Sequence, residues 1–327
     1  MITLKNSTKK ALVAVGVTAL GAAAVGVIYK LTSKFLMKVA FERELPKVVA
    51  DRQVDFIAEN DISDILEQVR STAEKLEARP LETVELTATD GTKLIGHWLD
   101  NPNAKRIIIA MHGWRSGWSQ DFGSIADFWF DGGCSILFAE QRGQGSSGGD
   151  YMGFGLLERH DCLEWINWVN QKTESNLPLY LGGISMGAST VMMTLGLEVP
   201  KNLRGVIADC GFTSPRAIWR HVIHNKFHLP FGIYGAVADD MCKKKLMINS
   251  NECTCPDVLS ETKIPVLFIH GTDDKFVPIE MTYENYKACA SEKQLLVVPG
   301  AEHGMSYFVD RKAYESAVTD FFNTYDN

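Results

Sequence analysis

The chain has no stripe of basic residues. With 33 Lys and Arg against 40 Asp and Glu its formal charge is -7, and a surface of that sign does not neutralise a phosphate backbone, so nucleic acid is excluded as the main partner. It also lacks a disulfide framework: Cys134, Cys162, Cys210, Cys242, Cys253, Cys255 and Cys289 are odd in number and scattered through apolar stretches, as expected of reduced, buried thiols in a reducing compartment. The two-residue spacer of a zinc knuckle is missing between Cys253 and Cys255, so this pair, with Cys242 nearby, reads as structural. Disorder is excluded as well. Over 327 residues, 46% apolar content with 22% charge allows a sizeable core in one large or two small domains.

Charge is absent altogether from residues 11–29, which lie between Lys5, Lys9 and Lys10 on one side and Lys30, Lys34 and Lys38 on the other. As a helix these nineteen residues span about 28 Å, close to the roughly 30 Å hydrocarbon thickness of a bilayer. The expectation is a single-pass membrane anchor; a secretory signal peptide cut near Ala22-Ala23-Ala24 is the alternative. The run holds no cysteine, which excludes a lipoprotein anchor. Both flanks are basic, so the positive-inside rule does not orient the rest of the chain.

Residues 31–80 have helical composition, with an irregular stripe through Phe56, Ile57, Ile62, Ile65, Leu66, Val69 and Leu76, and read as a stalk and lead-in ended by Pro80. Alternation around Asp90-Gly91 predicts a hairpin within 84–99. Short apolar runs at 106–111, 135–139, 179–181, 205–208, 265–269 and 294–298 then predict buried strands. Helical patterns near 122–130, 156–169, 186–197, 280–290 and 311–322 lie between or after them. Strands alternating with helices imply a mostly parallel sheet covered on both faces, with ligands at the carboxyl ends of the strands. The alternation breaks once, over about 212–262, where helical segments without a good strand predict a cap above the strand ends. The expected domains are thus 1–30 (anchor or signal peptide), 31–80 (stalk) and 81–327 (catalytic domain with cap).

The chemistry centres on Gly183-Ile184-Ser185-Met186-Gly187. A G-x-S-x-G pattern between a short strand and a helix puts its serine on a sharp bend, with glycines where Cβ atoms would collide with the neighbouring strand and helix. Such a pattern arises by chance in about one chain in ten of this length, so Ser185 needs partners before it counts as a nucleophile. Each is available at a strand end. His112-Gly113-Trp114 follows the first parallel strand and offers a backbone N–H, near Gly113 or Trp114, to pair with that of Met186 around an oxyanion. Thr272-Asp273-Asp274 follows the 265–269 strand and offers a carboxylate to orient a histidine; chemistry alone does not choose between the two aspartates. Glu302-His303-Gly304 follows the last strand and offers the base, with His112 and His270 as competitors.

Together with Arg142-Gly143-Gln144-Gly145 and Asp274-Lys275-Phe276-Val277-Pro278, these motifs resemble those of the α/β-hydrolases, and specifically of bacterial membrane-anchored serine hydrolases, over about 81–322. The resemblance selects Asp274, at the head of the D-x-x-V-P segment, over Asp273. It implies an α/β fold with a mostly parallel sheet, a Ser185–His303–Asp274 triad, an oxyanion hole of the Trp114 and Met186 N–H groups, and no metal or organic cofactor. The implied reaction is hydrolysis of a small or lipid-like acyl ester through an acyl-enzyme, with an amide or peptide as the alternative and a non-catalytic binding protein as the third reading.

Other features have blander readings. Arg142 reads as a structural ion-pair donor ahead of a substrate clamp. His221, His224 and His228 sit at helical spacing, but with no carboxylate at ligand spacing they read as a cap face and not a metal site. Trp219, Phe227, Phe231 and Tyr234 are candidates for substrate binding in an acyl pocket, or else they pack the cap on the sheet.

Overall fold

The computed structural model describes residues 27, 29–45, 63–173 and 177–326. Of the anchor expected over 11–29, residues 11–26 and 28 lie outside the described residues. Among the described residues no helix is long and apolar enough to cross a membrane.

The body is an eight-stranded sheet: β1 (Glu82–Thr87), β2 (Lys93–Leu99), β3 (Arg106–Met111), β4 (Cys134–Glu140), β5 (Leu179–Ile184), β6 (Leu203–Asp209), β7 (Val266–Gly271) and β8 (Lys293–Val298), in the spatial order β1-β2-β4-β3-β5-β6-β7-β8. β1 and β2 form the antiparallel hairpin around Asp90-Gly91, and β2 runs antiparallel to β4. The other pairings are parallel. Every residue of β3 and β4 is buried, which is why they read as unbroken apolar runs and not as alternating ones.

Successive residues of a strand serve opposite faces. Ile107, Ile109 and Met111 join one core with α4 (Glu158–Thr173) and α5 (Met186–Thr194). Ile108 and Ala110 join the other, with Phe122, Ile125 and Trp129 of α3 (Trp118–Asp131) and Val318, Phe321 and Phe322 of α11 (Arg311–Tyr325). The far end of α11 is pinned to the sheet through Asp326, which accepts from Arg106 Nε at 3.0 Å and from the Tyr180 hydroxyl at 2.9 Å.

Between β6 and β7 there are helices only: α6 (Pro215–His221), running on as a π-helical turn Val222–Lys226, then α7 (Phe231–Met241) with a second π turn Cys242–Leu246, and α8 (Cys255–Leu259). Ser214 caps α6 by accepting from Ala217 N at 3.2 Å, with Pro215 in the first turn where its missing N–H costs nothing. After β7 come α9 (Ile279–Ala288), then α10 (Ser306–Val309) beyond β8.

Both described parts of the stretch read as a stalk pack on this body. The helix over 29–41, here α1, buries Leu36, Val39 and Phe41. Phe41 packs edge-on against Phe154 and against Trp219 of the cap, with ring centres 5.3 and 5.0 Å away. The second helix, α2 (Ser63–Glu77), lies on α3, with the Thr72 and Ser124 hydroxyls 3.0 Å apart and Arg79 Nη1 donating to Asp127 Oδ1 at 2.9 Å.

Candidate active site

Ser185 stands between β5 and α5 with φ 57° and ψ -116°. For a residue with a side chain this backbone costs on the order of 1–3 kcal/mol, and it persists only where the surroundings hold it. Here Ser185 N donates to Asp209 O at 2.8 Å, and Ser189 N donates to Ser185 O at 3.1 Å. The flanking glycines have the steric reason that the motif implied. A Cβ on Gly187 would overlap the Met111 carbonyl of β3, and one on Gly183 would overlap the Gly187 carbonyl of α5.

Three loops bring the other groups to this bend. His303, between β8 and α10, has Nε2 2.8 Å from Ser185 Oγ and Nδ1 2.6 Å from Asp274 Oδ2. Asp274 is buried, and its Oδ1 accepts from the N–H groups of Phe276 at 2.9 Å and Val277 at 2.8 Å. Asp273 beside it is exposed and takes the Thr272 hydroxyl, so the geometry separates two aspartates that chemistry alone left level.

Neither competing histidine reaches Ser185. His112 Nε2 accepts from Gln141 N at 3.0 Å, which leaves Nδ1–H to donate to Gly113 O at 2.8 Å; burial pushes its pKa down and keeps it neutral. His270 Nε2 faces two acceptors, Asp274 Oδ2 at 3.1 Å and Val277 O at 2.9 Å, and so carries the proton. Its Nδ1 then accepts from the Thr282 hydroxyl at 2.6 Å.

Charge balance favours an ionised aspartate beside a basic imidazole. Burial alone raises a carboxyl, but at Asp274 the neighbouring His303 charge and the hydrogen bonds from both histidines outweigh it and hold the group well below the ordinary range. Burial likewise works against charge on His303, yet the attraction of Asp274 prevails and raises its pKa above 6.5.

The loop after β3 passes against the nucleophile: a Cβ on Gly113 would sit 3.3 Å from Ser185 Cβ. The Gly113 N–H is committed to Asp121 Oδ2 at 2.6 Å. The Trp114 and Met186 N–H groups, by contrast, have no backbone acceptor among the described residues. The Trp114 ring stacks on Phe276, and Phe276 packs edge-on against His303 at 5.0 Å.

Two spaces meet at Ser185. One is a narrow cavity of about 60 Å³, lined by apolar side chains that include Leu36, Met37 and Ala40 of α1, Trp219 and Val222 of the cap, and Phe227 just beyond. The other is a wide cleft of about 620 Å³ walled by Arg70, Glu74 and Glu77 of α2 with Arg115, Asp121 and His303. Trp219 and Phe227 therefore reach the site. Phe231 and Tyr234 do not line the cavity. Phe231 is covered by the Arg216 and Arg220 guanidinium groups, 5.3 and 5.2 Å from its ring centre, and Tyr234 packs with Leu36 and Ile223. Sequence reasoning missed the α1 wall, Phe154, Phe276 and the support from His270; only Phe276, inside the D-x-x-V-P segment, carried a local signal.

Arg142 donates to both oxygens of Asp161, at 2.6 and 2.5 Å, and to Asp90 at 2.7 Å, tying its loop to α4 and the hairpin. Among the described residues one group of potential metal ligands lies close together, Cys210 with Asp274 and His303, within 4.8 Å. Burial pushes the Cys210 thiol well up, and Asp274 and His303 already hold each other, so the donor set suits a proton relay better than a cation. The cap histidines form no such group. His221 is taken by Lys275 O at 3.1 Å and by Asn225. All seven cysteines are free and buried.

The sequence profile of the serine aminopeptidase (S33) family matches residues 102–242. Among solved structures, the esterase Pf2001 of Pyrococcus furiosus is similar with a TM-score of 0.62 at 23% identity, over 77% of this chain and 96% of that one. The chain has the α/β-hydrolase fold. An acylaminoacyl peptidase of Pyrococcus horikoshii shares it with a TM-score of 0.55 at 16% identity, over 75% of this chain and 41% of that one. By sequence the chain is similar to the uncharacterized protein YqkD of Bacillus subtilis, 24% identical over 96% of this chain and 97% of that one. It is also similar to YfhR of Escherichia coli, 28% identical over 73% and 80%. Family profile and neighbours together support a hydrolase.

Proposed function

We propose that this α/β-hydrolase is a serine esterase. Ser185 Oγ attacks the carbonyl carbon of an ester while His303 Nε2 takes its proton. The developing oxyanion is held by the Trp114 and Met186 N–H groups. His303 then returns the proton to the leaving alkoxide, and the C–O bond breaks to leave an acyl-enzyme. Water repeats the sequence, releasing the acid and restoring Ser185. Asp274 fixes the His303 tautomer and stabilises the imidazolium. The observation that carries this reading is the single imidazole bridging Ser185 Oγ at 2.8 Å and Asp274 Oδ2 at 2.6 Å.

A fluorophosphonate tests it. Labelling at Ser185, with loss of both labelling and p-nitrophenyl ester turnover in Ser185→Ala, is the expected result; unchanged turnover in that variant overturns the proposal.

The peptidase reading draws on the aminopeptidase profile. An aminopeptidase substrate carries its amine next to the acyl carbon, so an acceptor is needed on the acyl side. Among the described residues, the apolar cavity at Ser185 has no carboxylate in its lining, which favours the ester. Aminoacyl p-nitroanilides turned over faster than matched esters, relative to the uncatalysed rates, would reverse that order. Anchoring through residues 11–29 is proposed with the esterase, and recovery of the full chain in washed membranes checks it.

A further inference from the structure

We infer that the apolar cavity at Ser185 is an acyl pocket whose wall is completed by α1, and that it admits a short unbranched chain of about two to three carbon atoms beyond the carbonyl. The inference rests on the serine-esterase reading and adds the substrate class to it.

Which space takes which half of the ester follows from His303. The group that protonates the leaving oxygen must face the leaving group. His303 lines the wide polar cleft and not the narrow cavity. The alcohol half therefore leaves through the cleft beside Arg70 and Glu74, and the acyl half points the other way.

What lies the other way is apolar. Leu36, Met37 and Ala40 of α1 form one part of the wall, and Trp219, Val222 and Phe227 another. Among the described residues, Ser185 is, apart from the two indoles, the one lining residue with a side-chain nitrogen or oxygen. A charged or hydroxylated chain would lose its hydration here with little in return.

Size sets the length. A cavity of about 150 Å³ holds the six carbons of benzene, so at about 25 Å³ per carbon one of about 60 Å³ takes about two to three carbon atoms.

The α1 wall is fastened to the catalytic loop itself. The Trp114 indole Nε1 donates to Ala40 O at 2.9 Å, and Arg115 donates to Val39 O at 2.7 Å. The residue assigned to the oxyanion hole and its neighbour thus both hold α1, so the pocket and the reacting centre keep one geometry.

The test uses the full chain with p-nitrophenyl esters from acetate to dodecanoate, alongside labelling by a short fluorophosphonate. For the wild type, kcat/KM is expected to rise about fourfold per added methylene up to the predicted length, and then to fall. Ala40→Leu adds three carbon atoms to the wall, enough to fill the pocket, and should move the maximum to acetate. Val222→Phe, on the opposite wall, should act in the same direction if the first variant does not fold. A wild type that labels but shows a flat chain-length profile overturns the pocket alone, as does a labelled variant with an unshifted maximum. A wild type that neither labels nor turns over any ester overturns the esterase reading, and the pocket with it.

Discussion

Asp274 Oδ2 lies against two histidines, with His303 Nδ1 at 2.6 Å and His270 Nε2 at 3.1 Å. Only the first of these imidazoles touches Ser185. His270 is therefore a positioning residue, a fixed donor that holds the carboxylate where His303 needs it. Removing a hydrogen bond to a charged group costs about 1.5–3 kcal/mol. His270→Ala should accordingly lower kcat about tenfold to a hundredfold with little change in KM. An unaltered kcat would mean that the Phe276 and Val277 N–H groups suffice to hold Asp274.

The paired pKa shifts predict a pH profile and a stability window. His303 acts as base only when neutral, and its pKa is raised above 6.5 because Asp274 attracts its charge in spite of burial. kcat/KM should therefore fall on acidification with a midpoint above 6.5. For stability, the raised His303 contributes fully below 6.5, and its contribution is lost as pH rises through its folded value. The lowered Asp274 contributes above 3.8, and its contribution is lost as pH falls through its own folded value. Both are present together between 3.8 and 6.5. The loss of Tm in Asp274→Asn should be greatest inside that window and shrink above it, as thermal melts across pH would show.

Much of this site was legible because it depends on local geometry. The β3 run is apolar at every position but Arg106, since both faces of the sheet are covered, and Gly183 and Gly187 are fixed by carbonyls that a Cβ would strike. The order Ser185, Asp274, His303 follows from successive strand ends. The α1 wall left no comparable trace. Its contacts join residues 36–41 to positions such as Trp114, Phe154 and Trp219, and pairing over such separations has no period in the sequence. Lys30, Lys34 and Lys38 made the same helix look like a solvated stalk. In the cap, composition named Trp219, Phe227, Phe231 and Tyr234 alike; only the placement of Arg216 and Arg220 over Phe231 and of Leu36 beside Tyr234 sets the last two apart.

Asp209, at the end of β6, is fully buried beneath the triad, and burial raises its carboxyl to about 6. A carboxyl raised in this way favours the folded state below 3.8 and loses that contribution as pH rises through about 6. Ionised above that point, it costs folding on the order of 3 kcal/mol. Asp209→Asn keeps an oxygen for the Ser306 hydroxyl, 3.5 Å away, and removes the charge. The variant should gain stability over the wild type at pH 8 and gain little at pH 5, read from thermal melts at both values. An equal shift at both would show that Asp209 stays protonated throughout.

Arg115 closes the C-terminal end of α1. Its guanidinium donates to the carbonyls of Lys38, Val39, Glu42 and Arg43 at 2.5–3.4 Å. Those oxygens belong to the last turn and the residues after it, where a helix has acceptors without internal donors and where its dipole favours a cation. Burial lowers the Arg115 pKa to about 10, so the charge is retained at neutral pH. Water can replace part of this bonding in Arg115→Met, and a net loss of about 2 kcal/mol follows from the usual value of charged hydrogen bonds. Amide exchange over residues 29–41 should then quicken about thirtyfold, since each 1.4 kcal/mol is a factor of ten. Lysine at this position should restore only part of the protection, because one ammonium group cannot serve four carbonyls in a fixed plane. A looser α1 also opens the acyl pocket, so Arg115→Met should lose more kcat/KM on butyrate than on acetate esters. Equal losses on the two esters would show that Arg115 acts through the cleft it lines and not through the pocket, and unchanged exchange would show that the Trp114 to Ala40 bond and the packing of Phe41 hold α1 without it.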